Sequence, residues 1–447
     1  MKLRGLIVAV VVLAGLTGTL YWSNHHKPAE TTEASANTAP KILSVKEADI
    51  SKFGLKKNGT EQVAGERNSS GQWKLTSPTP LAADQSAVSS LLGTFSSLNS
   101  ERLVEEKAGN LASYGLDAPK LEFDLSEKNN QTQKLFLGDD TPTGNGIYAK
   151  LDGDPRVFIM PSFDKTSIDK TANDLRDKRL LTLDPDKISQ VDLVAKTQEI
   201  EFGRNKDEWQ IVKPKPLRAD GSEVDELVRA LTEAKMQLDA SDDPKKIASA
   251  FALATPVATA KVTAESGTQE LQVRKNKDDY YAKSSSVDGT YKVASTLGTA
   301  LDKSLDDFRN KKLFDLGSED LNKIEIHDGS KTYFLTRSGE DWWSGSAKKM
   351  DPGSVQDLVD KIRDLSASKF VDTGVGAATS IDLTVTSNDG KRVEKVAIAK
   401  LGDNYIAKRE NDSTLYQIDS KTIDDLKRSA ENIKPAVSGR QMIPRRE

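Results

Sequence analysis

The chain has 447 residues, 30% of them charged and 36% hydrophobic, and a length that sets an expectation of two to four domains with wet surfaces and modest cores. Its 64 basic and 68 acidic residues are interspersed for a formal net charge of -4, so no basic field of the kind that binds nucleic acid is present. There is no cysteine and there are only three histidines, which excludes disulfides, thiolate metal sites, a lipid-bearing N-terminal cysteine, a His-based triad and a multi-His metal centre.

The N-terminus begins with Lys2 and Arg4, followed by a mostly apolar, uncharged run from Gly5 to Trp22. As a helix rising 1.5 Å per residue, that run spans roughly 27 Å, enough for a hydrocarbon core. Tyr21 and Trp22 stand where an interfacial belt belongs. A secretory signal peptide is the rival reading, but "LYWSNHH" is a poor cleavage context. Residues 1–27 are therefore read as a cytoplasmic stub and an uncleaved single-pass anchor, with the membrane engaged through residues 5–22. The two basic residues keep the N-terminus inside and place the rest of the chain outside. Residues 28–41, "PAETTEASANTAPK", lack periodicity and read as a flexible tether.

Beyond the tether the sequence repeats. Trp73, Trp209 and Trp342 recur, and each is followed by an Asp: Asp84, Asp220 and Asp351. Each Asp opens the same apolar stripe: Val88, Leu91, Phe95, Leu98; Val224, Leu227, Leu231, Ala234; Val355, Leu358, Ile362, Leu365. That is one face of an amphipathic helix with Asp as its N-cap. Glu223, three residues after Asp220, adds the pattern of a capping box, and Pro352 suits a first helical position. Period-two segments follow, at Leu121–Leu125, Ala258–Val262 and Ile381–Val385, then "IYAK", "YYAK" and "YIAK", all reading as half-buried strands. Each unit closes with a helical run: "SIDKTANDLRDKRLL", "ALDKSLDDFRNKKLF" and "TIDDLKRSAENIKP". Arg176 and Arg309 are expected at the ends of the first two, bonding carbonyls or acids at the joint between units. The fold expected is α+β: three tandem repeats of a mainly antiparallel sheet with two helices, over 42–180, 181–313 and a degenerate 314–435, with a short tail at 436–447.

These motifs together resemble the bacterial domain-of-unknown-function 4340 family. The first unit carries the resemblance best, through Trp73, Pro78, Ala83, Asp84, "YGLDAP", Tyr148, Arg176 and Asp177. The second keeps Trp209, Pro214, Ala219, Asp220, Tyr281 and Arg309. The third departs, with "WWSGSAKKMD" lacking the prolines and "KRSAENIKP" replacing the Arg-Asp-Lys run. The resemblance implies an exported, membrane-anchored accessory protein of the bacterial inner membrane, facing the periplasm, of a kind often encoded beside ABC-type transporters similar to gliding-motility export systems. It supplies no catalytic residues.

A direct scan for chemistry adds none. "SFDK" (162–165) and "SASK" (366–369) fit S-x-x-K without its companion motifs, and "LDGDPR" reads as a turn rather than a calcium loop. "KPKPLR" (213–218) reads as a surface loop, and His327 as a solvated strand residue. The three Asp are read as caps rather than catalytic carboxylates, and the three Trp as core anchors. Trp343, beside Trp342, points to the opposite strand face and is the candidate contact surface. No catalytic residue, cofactor or metal is expected. The leading expectation is a membrane-anchored scaffold with membrane or envelope protein partners. The alternative is an envelope enzyme or a module binding cell-wall glycan or peptide.

Overall fold

Alternating burial along the strands builds the fold. In Ile50–Lys57 (β1), Ile50, Phe53 and Leu55 turn inward while Lys52, Lys56 and Lys57 face water. The computed structural model describes residues 41–437 apart from 44, 207, 240, 317–319 and 373–378. The expected anchor, the tether over 28–40 and the tail beyond 437 lie outside the described residues. Among those described, no helix is long and apolar enough to cross a membrane.

The chain divides into two compact units, residues 1–178 and 179–447. The first holds one nine-stranded sheet. Its other strands are Thr60–Arg67 (β2), Trp73–Ser77 (β3), Leu81–Ala82 (β4), Arg102–Glu105 (β5), Leu121–Glu127 (β6), Thr132–Asp140 (β7), Gly146–Leu151 (β8) and Val157–Pro161 (β9). Their order is β4-β3-β2-β1-β6-β7-β8-β9-β5. The helix Gln85–Ser96 presents Val88, Leu91, Leu92 and Phe95 to the sheet.

The second unit holds two eight-stranded sheets. One runs through Ile188–Ala195 (β10), Gln198–Asn205 (β11), Glu208–Lys213 (β12), Leu217–Arg218 (β13), Thr255–Ala264 (β14), Gly267–Asn276 (β15), Asp279–Ser284 (β16) and Tyr291–Val293 (β17). The other comprises Leu321–Asp328 (β18), Lys331–Ser338 (β19), Asp341–Ser344 (β20), Lys369–Val371 (β21), Thr379–Ser387 (β22), Arg392–Leu401 (β23), Asn404–Arg409 (β24) and Leu415–Asp419 (β25). Their orders are β13-β12-β11-β10-β14-β15-β16-β17 and β20-β19-β18-β22-β23-β24-β25-β21. In all three sheets the first strand pairs antiparallel both with its hairpin partner and with the long strand that follows the capped helix. The architecture is α+β with antiparallel sheets.

Three hydrophobic cores follow the three sheets, drawing on residues 42–175, 180–308 and 313–430. The joining segments belong to the core that comes after them. Leu180, Leu181 and Leu183 enter the second core, and Leu313, Phe314 and Leu316 enter the third. Ile42, Leu43 and Val45 enter the first in the same manner.

Two expectations about helices need correction. The first two closing runs are each two short helices, Ser162–Ile168 with Ala172–Leu175, and Ser295–Leu301 with Leu305–Phe308. A new cap interrupts each run: the Thr171 N–H donates to Asp174 Oδ2 at 2.7 Å, and Ser304 N–H to Asp307 Oδ2 at 2.7 Å. Only Ser420–Glu431 continues unbroken. An additional helix, Pro244–Leu253, lies against β15, β16 and β17, where Ile247 and Phe251 pack with Tyr281 in a small cluster separate from the main core.

Candidate functional site

The three Asp residues cap their helices. Asp84 accepts from the Ala87 N–H at 3.0 Å, Asp220 from Ser222 at 3.1 Å, and Asp351 from Ser354 at 2.9 Å. Their own backbone N–H groups also have a fixed use, bonding Leu175 O, Phe308 O and Lys434 O at 2.8 Å each. The end of each closing run is thereby stitched to the start of its capped helix. Bridges of Ala83 with Arg176, Ala219 with Arg309, and Met350 with Pro435 complete the stitch. The capping box expected at Asp220 does not form, because its N–H serves Phe308 and Glu223 instead pairs with Lys303 at 2.6 Å.

Trp73 and Trp209 are buried, and Trp342 is half-buried against the third core. The Phe53 ring meets Trp73 edge-on at 5.3 Å. Trp209 Nε1 donates to Asp225 at 2.8 Å, tying strand to helix. Gln85 does the same for the first sheet: its side chain accepts from Trp73 N at 2.8 Å and donates to Trp73 O at 3.0 Å. Each Trp also faces an arginine across the hairpin, Arg67, Arg204 and Arg337 in register. Arg67 and Arg204 lie over their indole rings at 4.6 and 5.5 Å. Sequence reading missed these arginines, although their spacing follows that of the tryptophans. Trp343 is half-buried, pairs in register with Thr336 and bridges to Lys349.

The short motifs resolve into local pairs. Lys165 of "SFDK" bonds Asp140 at 2.8 Å. Asp154 of "LDGDPR" is clamped by the Arg156 guanidinium at 2.7 Å, which holds its carboxyl below the usual range. Lys213 of "KPKPLR" pairs with Glu201 at 2.7 Å. His327 Nδ1 sits 3.1 Å from the Thr332 hydroxyl.

Among the described residues no cluster of His, Asp and Glu could hold a metal ion. Open grooves of about 390 and 420 Å³ run between the capped and closing helices that pack on the second and third sheets. A third, of about 460 Å³, lies over Asp382, Ala397, Lys395 and Lys408 on the third sheet.

The richest polar constellation lies where the second sheet meets the third. Arg218, at the end of β13, donates through Nη1 to Lys312 O at 2.8 Å and to Tyr416 Oη at 3.2 Å, and through Nη2 to Asp315. Asp315 also meets Arg409 at 3.2 Å and Arg392 at 3.8 Å. Glu394 pairs with both those arginines at 2.9 Å and accepts the Asp315 N–H at 3.1 Å. The Arg409 and Glu394 side chains are only 13% and 11% exposed, so this is no solvent-screened surface pair. The Tyr416 hydroxyl donates to Asp412 at 2.8 Å. Beside it the Arg309 guanidinium lies 3.5 Å above the Phe370 ring, which meets Tyr416 edge-on at 5.6 Å. Of these residues the sequence singled out Arg309, and it placed Arg218 in a surface loop. The remaining partners are far apart in the chain and carry no periodic signal.

A family model described as "Domain of unknown function (DUF4340)" matches residues 73–210 and 209–384. No curated protein and no solved structure matches the chain. The first match begins on Trp73 and ends just past Trp209, so in sequence it runs from β3 of the first sheet to β12 of the second.

Proposed function

The chain belongs to the DUF4340 family, and from that premise we propose that it is a non-enzymatic, membrane-anchored extracytoplasmic scaffold built from three tandem copies of one block. The observation that carries this reading is what the repeated side chains are used for. Trp73 and Trp209 fill cores, Asp84, Asp220 and Asp351 cap helices, and the segments at Arg176 and Arg309 stitch blocks closed. The recurring residues are committed to structure, as expected of a repeated spacer or platform. The seven-strand order shared by the three sheets, β3-β2-β1-β6-β7-β8-β9 in the first, supports tandem copies in the same way. Anchoring rests on the apolar run at residues 5–22, and the partner we propose is an ABC-type export complex of the bacterial inner membrane.

Crosslinking in native membranes, followed by mass spectrometry, tests this. Recovery of transporter subunits joined to lysines of the blocks is the expected result. A chain that crosslinks to nothing in the membrane and cleaves cell-wall fragments when purified would overturn it.

A further inference from the structure

We propose that Arg218 and Arg309 form a lock that makes the second and third blocks one rigid body. Both side chains leave the second block and end on an aromatic pair of the third, Arg218 on the Tyr416 hydroxyl and Arg309 on the Phe370 face. Planar guanidinium groups suit this use, since they stack on rings and fork onto oxygens together. Arg218 simultaneously holds the joining segment, through Lys312 O and the Asp315 carboxylate. Asp315 is fixed from beneath by Arg409 and Arg392, and these by Glu394. Three arginines (218, 392, 409) thus balance three carboxylates (315, 394, 412) in a partly buried set, with Asp412 reached through the Tyr416 hydroxyl rather than by a direct ion pair. Removing one member leaves a charge uncompensated, so the set holds together or fails together.

On the tandem-copy reading, the first block carries different residues at these positions. Ala82 stands before Ala83–Asp84 where Arg218 stands before Ala219–Asp220. Thr182 follows Leu180–Leu181 where Asp315 follows Leu313–Phe314. Thr182 is engaged by a neutral partner, with its hydroxyl 2.9 Å from Gln269 Nε2 and its N–H 2.9 Å from Gln269 Oε1. Gln269 begins its long strand as Glu394 begins β23. At these two positions the second and third blocks meet through Arg218 and Asp315, where the earlier sequence carries Ala82 and Thr182.

The chain has no native cysteine, so two introduced ones can be spin-labelled uniquely. Ser249→Cys on the helix Pro244–Leu253 and Lys391→Cys on the β22–β23 turn are exposed positions in the second and third blocks. In the full-length chain in lipid nanodiscs, pulsed electron resonance should give a single narrow distance distribution. Arg218→Ala, which installs the first block's residue at an edge position outside both cores, should broaden it, and adding Arg309→Ala should broaden it further. Hydrogen exchange of both cores should stay protected. A broad distribution in the labelled parent overturns the proposal without any further variant, and so does a distribution that stays narrow in the double variant. Neither result touches the tandem-copy reading, which rests on strand order and would fail separately.

Discussion

Single residues of the same type do different amounts in the two best-matched blocks. The indole N–H of Trp209 has Asp225 as acceptor, whereas that of Trp73 is buried without a hydrogen-bond partner. Trp→Phe removes ring volume at both sites but a hydrogen bond at only one. Trp209→Phe should therefore cost about 1 kcal/mol more than Trp73→Phe in denaturant unfolding of the full chain. Equal losses would show that the Asp225 bond contributes nothing. Asp412 gives a second test. Burial by itself would raise its carboxyl pKa, but the Thr414 N–H at 2.8 Å, the Tyr416 and Thr414 hydroxyls and the Arg218 charge outweigh it and hold it below the usual range. The unfolded chain then binds more protons in acid, so this stabilisation is present above about pH 3.9 and is lost as pH falls through the lower folded value. Melting curves of Asp412→Asn should lie below wild type at neutral pH and converge with it in acid. A constant gap down to low pH would contradict that sign.

At the level of elements, helix propensity and packing can be set against each other. Gly93 in the helix Gln85–Ser96 has nothing within 4 Å of where a Cβ would sit, so Gly93→Ala should stabilise by about 0.5–1 kcal/mol. Gly298 occupies a comparable helical setting in Ser295–Leu301, but its Cβ would come within 2.0 Å of the Tyr280 ring. Gly298→Ala should destabilise by about 1–3 kcal/mol despite the better propensity. Opposite signs in thermal unfolding are the expected result. The same contrast explains what could be read beforehand. The capped helices and the period-two strands were visible because their apolar stripes repeat at 3.6 and 2 residues. The break in the closing runs was not, since Thr171 and Ser304 look like ordinary helix residues until Asp174 and Asp307 fold back on them. The helix Pro244–Leu253 was hidden for another reason: only Ile247 and Phe251 are buried along it, too few to reveal a period. The arginine lock was beyond reach, because its partners meet only once β13, β23, β24 and β25 are in place.

On the scale of the whole molecule, the family match and the cores divide the chain differently. Each core is a contiguous stretch, 42–175, 180–308 or 313–430. The first family match instead runs from one Trp strand to the next. The match thus spans the joining segment, where the Ala83–Arg176 bridge stitches the closing run to the capped helix. The third sheet tests whether that stitch matters where the Arg-Asp-Lys run is absent. Deleting residues 434–447 removes the acceptor of the Asp351 N–H and the Met350–Pro435 bridge. Hydrogen exchange should then speed up in Pro352–Arg363 and leave β10–β17 protected. Unchanged exchange in that helix would show the stitch to be dispensable.

The backbone N–H groups of Asp84, Asp220 and Asp351 have a consequence for synthesis. Each waits for a carbonyl that lies 91, 88 or 83 residues later in the chain, at Leu175, Phe308 or Lys434. A block emerging from a ribosome can form its hairpins and its capped helix early, but the N–H of the capping Asp finds its acceptor only when the final residues of that block arrive. Because each core uses one uninterrupted stretch, the blocks can mature one after another in the order of synthesis. None needs sequence from a later neighbour to complete its own interior.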